Sequence, residues 1–155
     1  MDQEPTCVDL DRRLNELDRT YSEFARTCGI SECAYWMICD TAAAGGSVAI
    51  NRLTSEWFYS KQTINSALKT LTARGLVTLE YAEGSRKNKV VNLTEAGRAF
   101  AERWTEPAVV AEQRAFEALD REERMTMLRL LSKFTGALNG ELQAFKESVA
   151  TEEPR

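Results

Sequence analysis

SKQTINSALKTLTARGLVTLEYAEGSRKNKVVNL, residues 60–93, is the stretch whose reading decides the fold. Its first part sets Ile64, Leu68 and Leu71 at i, i+4 and i+7, one apolar stripe of a short helix. The opposite side holds Lys61, Gln62, Thr63, Asn65, Ser66 and Lys69: short polar groups, two cations and no carboxylate. Ser60 stands where a hydroxyl accepts from the amides of the first turn, and Gly75 where a left-handed residue stops the helix. Beyond it Val77, Leu79 and Tyr81 alternate with Thr78 and Glu80, the turn passes through Glu83-Gly84-Ser85, and Lys89–Leu93 returns. That pattern predicts a two-stranded ribbon with Arg86, Lys87 and Lys89 crowded on one flank of its turn.

A helix with a small, cationic, amide-rich outer face suits the major groove of a duplex. Gln and Asn pair there with adenine edges, and Lys reaches guanine or phosphate. A basic hairpin beside it suits the adjacent backbone or minor groove. This is the logic of a winged helix-turn-helix, and Ser60, Lys61, Gln62, Thr63, Asn65, Ser66, Lys69, Arg86, Lys87 and Lys89 are its candidate DNA contacts.

The charge distribution agrees. The chain is -4 overall, yet from Arg52 to Asn92 seven Lys/Arg meet three carboxylates, a local balance of +4. The remainder carries 13 cations against 21 anions, or -8. A basic segment in an acidic scaffold concentrates attraction for phosphate on one surface. A chance fluctuation in a solvated face is the alternative. Histidine is absent, which removes Ser-His-Asp and Cys-His arrangements and the usual zinc ligand sets. No glycine-rich phosphate loop or paired catalytic motif stands in its place, so an enzyme is not expected, and neither a cofactor nor a metal. Cys7, Cys28, Cys33 and Cys39 lack the CxxC spacing of a structural zinc site. No apolar run reaches membrane length and the start MDQEP lacks the form of a signal peptide, so a cytoplasmic protein with no membrane partner is expected.

The flanks read as helices. Leu10, Leu14, Leu17, Tyr21 and Phe24 recur at three- and four-residue spacing across Val8–Phe24. Gly29 ends that helix, and Ser31 starts another that stops at Gly45-Gly46. A short helix from Ala49 to Glu56 points Ile50 and Leu53 inward, and Trp57-Phe58-Tyr59 turn the chain into the Ser60 helix. Thr94 caps a long helix toward Phe116, in which Pro107 predicts a kink or break. Asp120 with Glu123 forms a capping box for the last helix, which carries Leu128, Leu131, Leu138, Leu142 and Phe145. That apolar face is wider than a thin strip over a small domain needs. Amphipathic helices at both chain ends predict a symmetric dimer with two reading helices about 34 Å apart; completion of a monomer core is the alternative.

The residues YSKQTINSALKTLTARGLVTLE (59–80), followed by GSRKNKVVNLTEAGRAF (84–100), resemble the MarR-type winged helix-turn-helix regulators. The resemblance spans residues 8–146 and is most specific from Lys61 to Gly97. It implies a mainly α fold with a small β-hairpin wing, in one domain over 1–155: helices 8–28 and 120–146 for dimerisation, 31–93 for the winged helix-turn-helix. It further implies a homodimeric transcriptional regulator, usually a repressor, on a near-palindromic double-stranded operator. Lys61, Gln62, Thr63, Asn65 and Ser66 then face the groove, and Arg86 is the wing arginine. The family's wing commonly has Asp-x-Arg; here Gly84 stands two before Arg86, leaving Glu83 as the nearest carboxylate for that brace.

The resemblance also implies release of DNA by a small aromatic or phenolic effector bound between dimer core and reading head. Tyr21, Tyr35, Trp36 and Trp57 are the candidate lining, with plain core packing as the other reading. Some members of the family sense oxidants through a thiolate near the amino terminus, which singles out Cys7 and Cys28. From a different functional class, a winged helix used for protein–protein docking is the alternative to DNA binding.

Overall fold

A computed structural model describes residues 4–56, 59–82, 84–85 and 87–152. The elements follow in the order α1 (Cys7–Thr27), α2 (Glu32–Ala43), β1 (Ser47–Ala49), α3 (Ile50–Glu56), α4 (Lys61–Ala73), β2 (Val77–Tyr81), β3 (Lys89–Leu93) and α5 (Glu95–Phe100). A π-helical turn, Ala101–Thr105, leads into α6 (Glu106–Glu117), and α7 (Arg121–Glu152) ends the chain. Two compact units result, Met1–Val109 and Val110–Arg155.

The first unit is built around α4. Ile64, Ala67, Leu68 and Leu71 are buried, so the predicted stripe faces inward, against α2 with its buried Tyr35, Met37 and Ile38. Ile38, Leu53, Ile64, Leu71, Val77 and Val91 are the largest apolar side chains wholly removed from water. The Ser60 hydroxyl accepts from the Thr63 amide at 3.1 Å, capping α4. Gly75, at φ +68, ends it in the left-handed conformation expected.

The ribbon is not two-stranded. β1 pairs antiparallel with β3, Val48 opposite Val91, and β2 pairs with β3 from Val77–Leu93 to Tyr81–Lys89. The order is β1-β3-β2, and Ala49, expected in a helix, closes the first strand instead. β1 is held by β3 rather than by its own sequence: Ser47 Oγ donates to Asn92 Oδ1 at 2.7 Å, and the Leu93 amide to Gly46 O at 2.8 Å.

Pro107 does not break the helix. A proline lacks an amide proton, and its ring crowds the carbonyl four residues back. The preceding turn is wound wide, with the Glu106 amide donating to Ala101 O, five residues back. Ala101 and Thr105 are buried, and the Thr105 hydroxyl returns to Ala101 O at 3.0 Å. A π-turn is one recognised way of absorbing such a defect.

In the second unit the expected capping box is present: the Asp120 amide donates to Glu123 Oε2 at 2.7 Å and the Glu123 amide to Asp120 Oδ1 at 2.9 Å. The apolar side chains of α7 stay in solvent. Leu131, Phe134, Leu138, Leu142, Phe145 and Val149 recur at three- and four-residue spacing and are 37% to 65% exposed.

Candidate nucleic-acid interface

The outer face of α4 is open. Lys61, Gln62, Thr63, Asn65, Ser66 and Lys69 are all exposed, and no residue of the helix carries a negative charge. Ser60 is exposed at the cap, its hydroxyl 2.8 Å from that of Thr63. The structure brings all seven onto one element, as the sequence predicts.

Clefts flank that helix on both sides. One, of about 660 Å³, lies between the α4 side chains Gln62, Thr63, Ser66 and Thr70 and the α1–α2 corner at Arg26, Gly29 and Ser31. The other, of about 480 Å³, separates Asn65, Lys69 and Thr72 from Leu79 and Lys89 of the sheet. A helix standing proud between two clefts is the shape that enters a groove about 12 Å wide. Arg26 adds a cation to the first cleft; sequence reading missed it because it belongs to α1, distant along the chain.

The far end of α4 is tied to the same corner. Arg74 Nη1 donates to Gly29 O at 2.5 Å, across 45 positions of sequence. Arg74 counts in the +4 of the basic segment, but its guanidinium serves here to hold α4 in place.

On the wing, Tyr81 lies opposite Lys89, whose Nζ sits 5.5 Å from the ring centre. Strand alternation puts Leu79 and Tyr81 on the cleft side and Glu80 on the other, so that carboxylate is kept off the basic surface. The tip is closed by Ser85, whose hydroxyl accepts from the amides of Lys87 and Asn88 at 3.2 and 2.9 Å. Lys87 and Lys89 are exposed. Arg86 and its expected partner Glu83 lie outside the described residues, as do Trp57 and Phe58.

The candidate effector residues pack on one another. Tyr21 and Trp36 have ring centres 5.0 Å apart, Tyr35 and Trp36 5.3 Å, and Phe24 and Tyr35 5.5 Å. The cavity between Trp36, Tyr59 and Cys33 measures about 10 Å³, room for no more than a single water. Of the candidate thiols, Cys7 is exposed at the start of α1. Cys28 is buried at its end, with the thiol donating to Phe24 O at 3.3 Å. Burial pushes the Cys28 thiol above its ordinary range, away from the thiolate that oxidation chemistry uses. Among the described residues no group of side chains is arranged to hold a metal ion, and no helix is long and apolar enough to cross a membrane.

This fold, a three-stranded sheet whose β2 and β3 follow the exposed α4, matches many solved structures. The chain aligns with the MepR–DNA complex from S. aureus at a TM-score of 0.70 and 20% identity, over 87% of this chain and 99% of that one. The fold is the MarR-type winged helix. A MarR-family regulator from Silicibacter pomeroyi shares 25% identity at a TM-score of 0.59, over 81% and 84% of the two chains. NadR in complex with 4-hydroxyphenylacetate aligns at 0.65 and 17% identity, over 86% and 96%. No protein-family model matches the sequence, and neither does any curated protein sequence.

Proposed function

We propose that this chain is a sequence-specific DNA-binding transcriptional regulator, a cytoplasmic homodimer that represses from a near-palindromic operator. The observation that carries the reading is the α4 face: seven exposed polar residues from Ser60 to Lys69 and no carboxylate, between clefts edged by Arg26 on one side and Lys89 on the other. Asn65 and Gln62 have the amide chemistry for adenine edges, and Lys61 and Lys69 for guanine or phosphate. Lys87 and Lys89 suit the neighbouring backbone, with Arg86 as the wing arginine by resemblance. That MepR has been captured on DNA supports the same use of the same fold.

Dimerisation is supported by the uncovered stripe Leu131–Val149 on α7 and by the exposed Leu14 and Leu17 on α1. Such stripes rarely stay in water unless a partner covers them. The NadR complex supports a small aromatic effector. In this chain Tyr21, Tyr35 and Trp36 pack on each other, so such a ligand has to displace them or lodge between subunits.

The test is a gel shift of the protein on the DNA upstream of its own gene, against scrambled duplex of equal length. Preferential binding at physiological salt, relieved by a hydroxyphenyl acid, is expected. Equal affinity for both duplexes refutes the reading.

A further inference from the structure

One carboxylate joins three segments that meet at the start of the reading helix. Glu32, the first residue of α2, is partly buried and uses its two oxygens separately. Oε2 accepts from the hydroxyl of Ser22 on α1, and Oε1 accepts from the phenol of Tyr59 at 3.3 Å. Tyr59 directly precedes Ser60, the cap of α4. Its ring is half-buried and packs on the core, sharing a wall with Cys33, Met37, Leu53 and Ile64. Burial, with the charge of Glu32 next, pushes the phenol far above its ordinary value, so it stays a donor. Ser60 caps only while its own backbone is extended, at φ -62 and ψ 151, and the anchored ring beside it determines where that extended residue enters the helix.

We infer that Glu32 is a positioning residue for DNA reading: by holding Tyr59 against Ser22, it sets the first turn of α4, where Lys61, Gln62 and Thr63 project, and ties that turn to α1. This rests on the DNA-binding reading above. The carboxylate touches no DNA in this scheme. Its effect falls on side-chain placement to within about half an ångström, the tolerance that directional base contacts demand.

The probe is a duplex selected from a random pool by the wild-type protein, measured beside a scrambled duplex. Glu32→Ala and Tyr59→Phe each lower affinity for the selected duplex about tenfold, the scale of one hydrogen bond to a charged group. Affinity for scrambled duplex and the salt slope stay at wild-type values, because phosphate contacts are untouched. The double variant is no weaker than the worse single one, since both remove the same contact. Glu32→Gln still accepts from Tyr59 and donates to Ser22, so it recovers to within about threefold of wild type. If Glu32→Ala fails to fold, the Gln and Phe variants carry the test. Equal losses on both duplexes, additive losses, or a Gln variant no better than Ala overturn the positioning role alone. A wild-type protein that selects no sequence from the pool overturns the DNA reading, and this inference with it.

Discussion

Among the glycines, Gly97 leaves least room for a side chain, and its replacement by alanine has a calculable consequence. A Cβ at that position falls 2.0 Å from Leu76 O, 3.0 Å from the Leu76 carbonyl carbon and 3.2 Å from Leu93 Cδ2. Carbon and carbonyl oxygen settle near 3.3 Å even in favourable contacts, so α5 and the entry to β2 must part by roughly 1.3 Å. Overpacking of this kind costs about 1–3 kcal/mol, and the obstacle here is backbone rather than a side chain that can swing away. The same movement strains the clasp in which Thr94 donates through its hydroxyl to Gly75 O at 2.6 Å and through its amide to Leu76 O at 3.1 Å. Each bond is worth about 1 kcal/mol. Helix propensity returns up to about 1 kcal/mol for Gly to Ala. The net expectation is a loss of about 2–4 kcal/mol, or roughly 10 °C in Tm for a chain of this size. Gly75→Ala is the comparison: nothing lies within 4 Å of its Cβ, so only the strain at φ +68 applies, about 1 kcal/mol. Urea unfolding followed by circular dichroism, at one fixed protein concentration, measures both. A Gly97→Ala protein within about 0.5 kcal/mol of wild type, or no worse than Gly75→Ala, refutes the argument.

Asn65→Ala is expected to cost about 1–3 kcal/mol on a selected duplex and little on scrambled DNA, whereas Lys87→Ala weakens all duplexes alike and lowers the log-log salt slope by about 0.9 per site; titrations from 50 to 200 mM salt separate them. Ser60→Ala removes the cap of α4 and costs about 1 kcal/mol of stability by urea midpoint. Leu138→Glu, in the middle of the uncovered α7 stripe, converts dimer to monomer in sedimentation equilibrium, and an unchanged mass would reject that stripe as the contact. Burial pushes the Cys33 thiol from 9.0 up to about 11, with Glu32 adding to the effect. The unfolded thiol ionises first as pH rises, so this stabilisation is intact below pH 9 and lost progressively toward pH 11; urea midpoints at pH 8 and pH 10 should fall in that order.

What could be read from residues alone was what local chemistry determines. Ser60 and Gly75 bound α4, Thr94 caps α5, Asp120 and Glu123 cap α7, and the alternation from Val77 to Tyr81 makes a strand; each signal sits within a few residues of its effect. β1 escaped because three residues after a glycine pair have no pattern of their own, and its pairing partner lies more than 40 positions on. The Arg74–Gly29 tie and the Ser22–Glu32–Tyr59 junction escaped for the same reason: an arginine, a serine and a tyrosine are unremarkable until the fold brings a distant acceptor within 3.5 Å. Pro107 did announce a defect. Whether it becomes a break or a wide turn depends on the burial of Ala101 and Thr105, which only packing decides.

That wide turn leaves a mark that other chains of this architecture can be checked for. Regular winding advances about 100° per residue, so a helix holding one surplus residue in a five-residue loop keeps its later side chains in phase only because the surplus is absorbed on the spot. A natural chain without the proline is therefore expected to be one residue shorter between the counterparts of Phe100 and Ala108, wound regularly throughout, with its downstream residues aimed in the same directions as here.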